Sequence, residues 1–176
     1  IYHEYSSNKI ENRDGIVKIK SRSFNFLNKT IYTYYSFTKR IPDGYDLYHA
    51  TNQYLAKVAK YKKPCIITHM DIIPILFPKG KFLPISFFLK RLLKYYKEAE
   101  HIIALSDVVK EELLQFVNIP DEKITVVYPG VDENLYKPFR KHTAREVLNL
   151  PLDKKIILNV GSEEIDKGVP FLLNIL

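Results

Sequence analysis

Short apolar runs rich in β-branched residues recur along the second half of the chain, separated by polar or turn-forming residues. Three of them, Ile102–Leu105, Ile124–Val127 and Ile156–Val160, are too short and too continuous for strands with one face in water. This pattern predicts parallel strands that are buried on both sides. We expect four segments to lie side by side and to run the same way: Tyr45–His49, Pro64–Thr68, His101–Leu105 and Ile124–Tyr128.

The segments between these runs have the spacing of helices. Thr51–Lys63 and Asp107–Phe116 each separate two predicted strands, and Ser106 is a suitable N-cap for the second helix. A third helix, Phe87–Lys97, has an apolar stripe and a cationic side. The stripe is Phe88, Leu89, Leu92, Leu93 and Tyr96, and the cations are Lys90, Arg91, Lys94 and Lys97. The alternation predicts an α/β fold with a Rossmann-like parallel sheet flanked by helices.

Turn signals divide the chain into three parts. Residues 1–130 form the first domain, in which residues 1–45 give weak signals: a loop at SSNKIENRDG, a short strand at IVKIK and helical spacing in FNFLNKTIYTYYSFTK. Residues 131–153 are predicted to be a linker with a short helix at Thr143–Leu148. Residues 154–176 are predicted to be the first βα unit of a second domain, ending in a helix at Val169–Leu176. One βα unit cannot bury its apolar faces, so we expect the chain to be part of a longer protein, unless the unit packs elsewhere.

The composition narrows the class of protein. An apolar fraction of 46% is enough for a core, and a net charge of +7 favours anionic partners, unless it reflects only a basic proteome. The single cysteine, Cys65, excludes an internal disulfide and a zinc finger. Asp71, Pro74 and Pro78 interrupt the most apolar stretch, so no run is long enough to cross a bilayer. With no signal peptide, these features favour a cytoplasmic protein.

Polar residues at the predicted strand ends are the first candidate site, because ligands of open α/β sheets bind outside the carboxyl ends of the strands. His49 and Thr51 follow the first strand, and His69 and Asp71 follow the second. Either histidine titrates near neutrality and could bond to a hydroxyl or a phosphate, with Asp71 orienting it or accepting from a hydroxyl. The alternative for His49 is a partly buried, hydrogen-bonded structural residue.

A second candidate is the loop GSEEIDKG after the predicted strand Ile156–Val160. Gly161, Ser162 and Gly168 would let the backbone approach a diphosphate, and Lys167 would add a positive charge. Gly130, which follows the fourth strand, is a further candidate for contact with the substrate. The alternative for the loop is a solvated turn, because it holds three acidic residues against one lysine.

The order of motifs resembles a known family. The chain carries S-x-x-V-K-x-E-L, then I-P-x-E-K-I-x-V-V-x-P-G-V-D, Y-x-P and L-x-L-P, and finally I-L-x-V-G-S-E-E-x-x-K-G. From about residue 46 to residue 176 this is similar to the family 4 glycosyltransferases of the two-domain GT-B fold. The resemblance implies an acceptor-side domain at 1–130 and the start of a donor-binding domain at 154–176. It also implies a retaining hexosyltransferase of polysaccharide or glycolipid biosynthesis, with a nucleotide diphosphate sugar donor, a hydroxyl acceptor and no metal or other cofactor.

The resemblance bears on particular residues. Many members carry T-x-H-D-x-x-P beside the transferred sugar; aligning Asp71 and Pro74 on it places Met70 where the histidine belongs and His69 one position early. Adjacent residues of an extended segment point to opposite sides, which separates His69 from the family's histidine. In the GSEEIDKG loop, Lys167-Gly168 matches the basic site for the donor diphosphate, whereas Asp166 occupies a place that often holds arginine.

Two functions follow as hypotheses. The first is the glycosyltransferase, with residues 1–176 alone expected to be inactive and with peripheral membrane contact through Lys90, Arg91, Lys94 and Lys97. The second is a non-catalytic, transferase-like module that binds an anionic glycan, a lipid headgroup or a protein partner through the same cations. Nucleic acid is not expected as a partner, because no nucleic-acid-binding motif occurs.

Overall fold

The computed structural model describes residue 38 and residues 41–80, 82–161 and 167–175. The chain divides into two compact units, Ile1–Gly130 and Val131–Leu176. The loop, the strand and most of the helical segment expected within residues 1–39 lie outside the described residues.

The described part of the first unit is built on a sheet of four parallel strands in the order β1-β2-β3-β4. The strands are β1 (Tyr48–Ala50), β2 (Cys65–His69), β3 (His101–Ala104) and β4 (Ile124–Val126). In the middle of the sheet, Ile67 pairs with Ala50 on one side and with Ile102 on the other. The prediction of four adjacent segments that run in the same direction is confirmed.

Burial of the strands alternates along each of them. In β2, Cys65, Ile67 and His69 are buried, whereas Ile66 and Thr68 are half-buried. The buried residues form one cluster with the apolar side chains of the described helices. Burial on both faces, as predicted, is not reached in the described sheet, because Ile66 and Ile103 on the second face are only half-buried and His49 and Thr125 there are exposed.

Residues 41–80 and 82–130 include four α-helices: α1 (Val58–Tyr61), α2 (Ile73–Leu76), α3 (Phe82–Leu93) and α4 (Asp107–Leu114). Short 3₁₀ helices occur at Gln53–Leu55, Lys94–Glu98 and Asp121–Lys123. The helix predicted over Thr51–Lys63 is in fact a 3₁₀ turn followed by α1. Its first turn is capped by Asn52, whose side chain accepts a hydrogen bond from the N–H of Tyr54 at 3.0 Å.

Helix α3 begins at Phe82, five residues before the predicted start. Pro84 lies in its first turn, where the missing N–H costs no helical hydrogen bond. The predicted apolar stripe is confirmed, because all five of its residues are buried. The last predicted turn is a 3₁₀ helix, so Tyr96 enters the core from Lys94–Glu98 rather than from α3.

The second unit contains α5 (Lys141–Val147) and α6 (Val169–Asn174), close to the predicted helices. Ile156–Val160 is not a strand, and its apolar side chains are exposed, from 42% for Ile156 to 88% for Val160. The strand prediction is wrong here because no described strand of residues 131–175 pairs with this segment. No described residue from 131 to 175 is buried.

Candidate functional site

The four strands end at one edge of the sheet, which we call the carboxyl edge. Parallel pairing places the residues that follow each strand next to one another there. Thr51 follows β1, Met70 and Asp71 follow β2, and Ser106 follows β3 after one residue. The pairing continues past β4, because the N–H of Val127 donates to the carbonyl of Ala104 at 2.9 Å. A substrate at this edge would meet residues from all four strands.

Asp71 lies two residues beyond β2, in the turn that leads to α2. Its Oδ1 accepts a hydrogen bond from the N–H of Ile73 at 3.1 Å, and the residue is half-buried. A carboxylate has about four acceptor positions, so this bond leaves capacity for a substrate hydroxyl. Met70, beside it, is 46% exposed. The turn thus presents one carboxylate and one thioether at the carboxyl edge.

His69, predicted to be catalytic, is the last residue of β2 and is fully buried. Its Nδ1 lies 2.6 Å from the hydroxyl of Tyr96, and the two rings meet edge to face. Its Nε2 is buried and has no hydrogen-bond partner among the described residues. Burial lowers the pKa of His69 to about 4, so the ring is neutral near pH 7. Direct contact with a substrate does not fit this position, since the side chain points into the core.

Gln53, which the sequence did not indicate, lies beneath the same turn. The side chain is buried, its Oε1 accepts from the N–H of Met70 at 3.2 Å, and its Nε2 donates to the carbonyl of Asp71 at 3.3 Å. The one usable signal was a short polar residue, Asn52, capping a turn directly after β1. That signal places a turn but does not reveal which way Gln53 points.

His49 lies inside β1 rather than after it. Its side chain is on the more exposed face of the sheet, where Nε2 lies 2.7 Å from the Thr68 hydroxyl. A similar pair joins His101 Nε2 and the Thr125 hydroxyl at 2.8 Å. The contact with Thr68 agrees with the hydrogen-bonded structural alternative for His49, although the residue is exposed and not partly buried. Thr51 is exposed at that edge, as a substrate contact would require.

The exits of β3 and β4 are tied together. The Ser106 hydroxyl accepts from the N–H of Val109 at 3.2 Å, which confirms the predicted N-cap of α4. The Tyr128 hydroxyl donates to the carboxylate of Asp107, and this hydrogen bond with the nearby negative charge raises the pKa of Tyr128. Gly130, the last residue of the first unit, is exposed.

The loop predicted to bind a diphosphate belongs to the second unit. Gly161 and Lys167 are exposed, and Ser162 lies outside the described residues. Gly168 precedes α6 with a φ of 70°, in the left-handed region where a side chain is strained. The described part of this loop is accessible and carries one cation.

The outer side of α3 has a strongly basic surface. Lys90 and Arg91 of α3 are exposed, as are Lys94 and Lys97 of the 3₁₀ helix that follows it. No acidic residue occurs in the sequence from Ile72 to Lys97. Leu83 and Phe87 are also exposed, by 60% and 65%, and the guanidinium carbon of Arg91 lies 5.7 Å from the centre of the Phe87 ring. Apolar and cationic side chains thus share one surface of the helix.

Neither a metal site nor a membrane-spanning helix is found among the described residues. Within them, no three His, Cys, Asp or Glu side chains are arranged to hold a metal ion. None of the helices in the described part of the chain has the length and apolar character needed to span a bilayer.

Together, the parallel sheet and the polar residues at its carboxyl edge define an α/β protein of the Rossmann-like class. The sequence profile described as Glycosyltransferase Family 4 matches residues 3–135, well over half of the chain. The chain therefore belongs to glycosyltransferase family 4, and the resemblance seen in its motifs is confirmed.

Several curated proteins named D-inositol 3-phosphate glycosyltransferase are similar to parts of the chain. The protein from Thermobispora bispora is 38% identical over 63 residues, 36% of this chain and 15% of its own length. The protein from Mycolicibacterium smegmatis is 36% identical over 76 residues, 43% of this chain and 18% of its own length. The protein from Mycolicibacterium paratuberculosis is 38% identical over 64 residues, 36% and 14% of the two chains. The matches thus span less than a fifth of each relative.

Proposed function

We propose that the intact protein is a retaining, metal-independent GT-B hexosyltransferase that moves a sugar from a nucleotide diphosphate sugar to a hydroxyl acceptor in the cytoplasm. The observation that carries this proposal is the meeting of four parallel strand ends at one edge in a chain of glycosyltransferase family 4. Open sheets of this kind bind ligands outside their carboxyl ends.

Asp71 is the chemical group that we assign to the acceptor side. Its carboxylate is at the carboxyl edge and is anchored by Ile73, so it can accept a hydrogen bond from a hydroxyl in a fixed geometry. His69, which lies beneath it and is fully buried, supports the turn and does not touch the substrate. Thr51 is the second acceptor contact, because it is exposed on the neighbouring strand end.

We assign the donor diphosphate to the loop of the second unit that contains Gly161, Lys167 and Gly168. Lys167 is exposed and lies next to a glycine that allows close approach of a ligand, and a charged donor bonds strongly to phosphate oxygens. Basic side chains of this kind can stabilise a leaving diphosphate without a divalent ion.

The names of the relatives support one choice of acceptor. They are called D-inositol 3-phosphate glycosyltransferases, and we propose a phosphorylated cyclitol as the first acceptor to test. A basic chain with a net charge of +7 suits such an anionic acceptor.

A ligand screen followed by a transfer assay tests the proposal. The intact protein is heated with a panel of nucleotides and nucleotide diphosphate sugars, and a bound donor should raise the midpoint of unfolding by mass action. The stabilising donor is then incubated with inositol 3-phosphate, and the product is measured by mass spectrometry. If no donor stabilises the protein and none is consumed, the enzymatic proposal is wrong.

The Asp71→Asn variant tests the acceptor site. Asparagine keeps an oxygen that can accept from the N–H of Ile73 but removes the charge, so we expect turnover to fall by about 10²–10⁴-fold. The midpoint of unfolding should change little. Unchanged turnover with a lower unfolding midpoint would make Asp71 structural.

A second candidate function rests on α3. The exposed Leu83 and Phe87 beside Arg91 combine apolar insertion with positive charge, the properties of a surface that binds an anionic lipid headgroup. Lipid binding by α3 would suit either an enzyme that works at a membrane surface or a non-catalytic binding module. Sedimentation with phosphatidylserine vesicles tests this lipid binding. The unchanged protein should sediment with the vesicles, and the Phe87→Ser/Arg91→Ser double variant should not.

A further inference from the structure

The turn that carries Asp71 lies just beyond the reach of β1. The last pair between β1 and β2 joins Ala50 to Ile67, and β2 continues along β3 to His69. On the β1 side, the peptide groups of Met70 and Asp71 therefore have no strand to bond to. Buried main-chain groups left without partners would destabilise the turn or let it move.

Gln53 supplies the missing partners. A single side-chain amide accepts from the N–H of Met70 and donates to the carbonyl of Asp71, at 3.2 and 3.3 Å. Glutamine can do both because its amide holds an acceptor and a donor side by side. The side chain is only 2% exposed, so water does not replace these bonds readily.

We propose that Gln53 is a positioning residue that fixes the main chain of Met70 and Asp71 and thereby the orientation of the Asp71 carboxylate. The proposal rests on the proposed role of Asp71 in sugar transfer. It predicts that Gln53 acts on the reaction only through Asp71, and that removing its amide loosens the turn whether or not the reaction is measured.

A double-mutant cycle in the intact protein tests the kinetic part. Gln53→Leu has a similar volume and removes both hydrogen bonds; we expect kcat to fall by about 10-fold or more, because small displacements of a reacting group are costly. In the Asp71→Asn background, the same substitution should change kcat by less than about 2-fold, since the group it positions is already lost. The KM of the donor should not change in either background. Gln115→Leu, at the exposed end of α4, is the matched control and should leave kcat unchanged.

Met70 gives a readout that does not depend on activity. It is the single methionine of these 176 residues, and its side chain is at the turn, so a ¹³C-labelled methyl group there reports the turn directly. We expect Gln53→Leu to shift or broaden this NMR signal and Gln115→Leu to leave it unchanged. If Gln53→Leu does not fold, Gln53→Glu replaces it, because ionised glutamate keeps the acceptor for Met70 and loses the donor to Asp71.

The outcomes separate the two proposals. An equal loss of kcat in both backgrounds, no loss at all, or an unchanged Met70 signal overturns the assignment of Gln53. If the protein transfers no sugar, the proposed function fails, and the Met70 signal alone then decides whether Gln53 holds the turn.

Discussion

The segments PCIIT (residues 64–68) and KIILNV (residues 155–160) are both short apolar runs, but they adopt different structures in the two units. In the first unit, Ile67 lies on a strand with a partner on each side and is fully buried. In the second unit, Ile157 lies in an irregular segment and is 60% exposed. The same kind of apolar run becomes a strand only where neighbours supply hydrogen bonds and a packing layer, so the two units should respond differently to the same changes.

The largest expected effect comes from removing the same side chain in each unit. Ile67→Ala deletes a fully buried side chain and should lower the free energy of unfolding by about 2–5 kcal/mol. Ile157→Ala removes exposed atoms and should change it by less than about 0.5 kcal/mol. Denaturant unfolding of the 176-residue chain measures both. Equal losses would show that Ile157 is packed in solution.

The buried histidine should make the first unit sensitive to acid. Burial lowers the pKa of His69 to about 4 from an ordinary 6.5, so the unfolded chain binds a proton between these values while the folded chain does not. The stability that the buried, neutral His69 contributes is fully present above pH 6.5 and is lost as the pH falls towards 4. The free energy of unfolding should fall by roughly 3 kcal/mol at most over this range. His69→Gln should flatten the pH dependence of the unfolding free energy by up to this amount.

The matched control is Tyr96→Phe. It removes the hydroxyl beside Nδ1 but keeps His69 buried, so the slope between pH 4 and 6.5 should remain. A slope that disappears in Tyr96→Phe would assign the pH dependence to the hydrogen bond and not to burial.

In the second unit we expect the loss of a charged side chain to affect sugar transfer more than it affects stability. Lys167→Ala removes the proposed charged hydrogen bond to the donor diphosphate. The activation free energy of transfer should rise by about 1.5–3 kcal/mol, so that kcat/KM falls by roughly 10–150-fold. The unfolding free energy should change by less than about 1 kcal/mol, because the side chain is exposed. Lys155→Ala, which changes another exposed lysine of this unit, is the control. Normal transfer by Lys167→Ala would remove this loop from the donor site.

The smallest expected difference concerns the helix starts. The Ser106 side chain caps α4, so Ser106→Ala should lower the unfolding free energy by about 1 kcal/mol. Arg140 precedes α5 and makes no side-chain capping bond, so Arg140→Ala should cost less than about 0.5 kcal/mol. A larger loss for Arg140 than for Ser106 would reverse the expected contrast between the units.

Local signals made much of the first unit predictable. The Ser106 cap and the apolar stripe from Phe88 to Tyr96 depend on residues close together in sequence, and short apolar runs indicated the strands. The start of α3 was predicted five residues too late; Pro84 lies in its first turn, where proline is tolerated. The prediction of a strand at Ile156–Val160 was wrong, because strand pairing depends on partners that are distant in sequence.

The candidate site was less predictable than the fold. Asp71 and Thr51 could be placed at strand ends, because parallel strands bring their ends together. The burial of His69 depends on which face of β2 is packed, and the role of Gln53 depends on where β1 stops relative to β2. Neither property is encoded by the nearby residues alone.

The strand order has a consequence for how the first unit is made. Each described strand pairs with the one that the ribosome produced before it, so the sheet can grow one strand at a time as the chain emerges. No described strand has to leave a gap for a later one to fill. Loops closed between consecutive strands are short compared with the whole chain, which lowers the entropy cost of each addition.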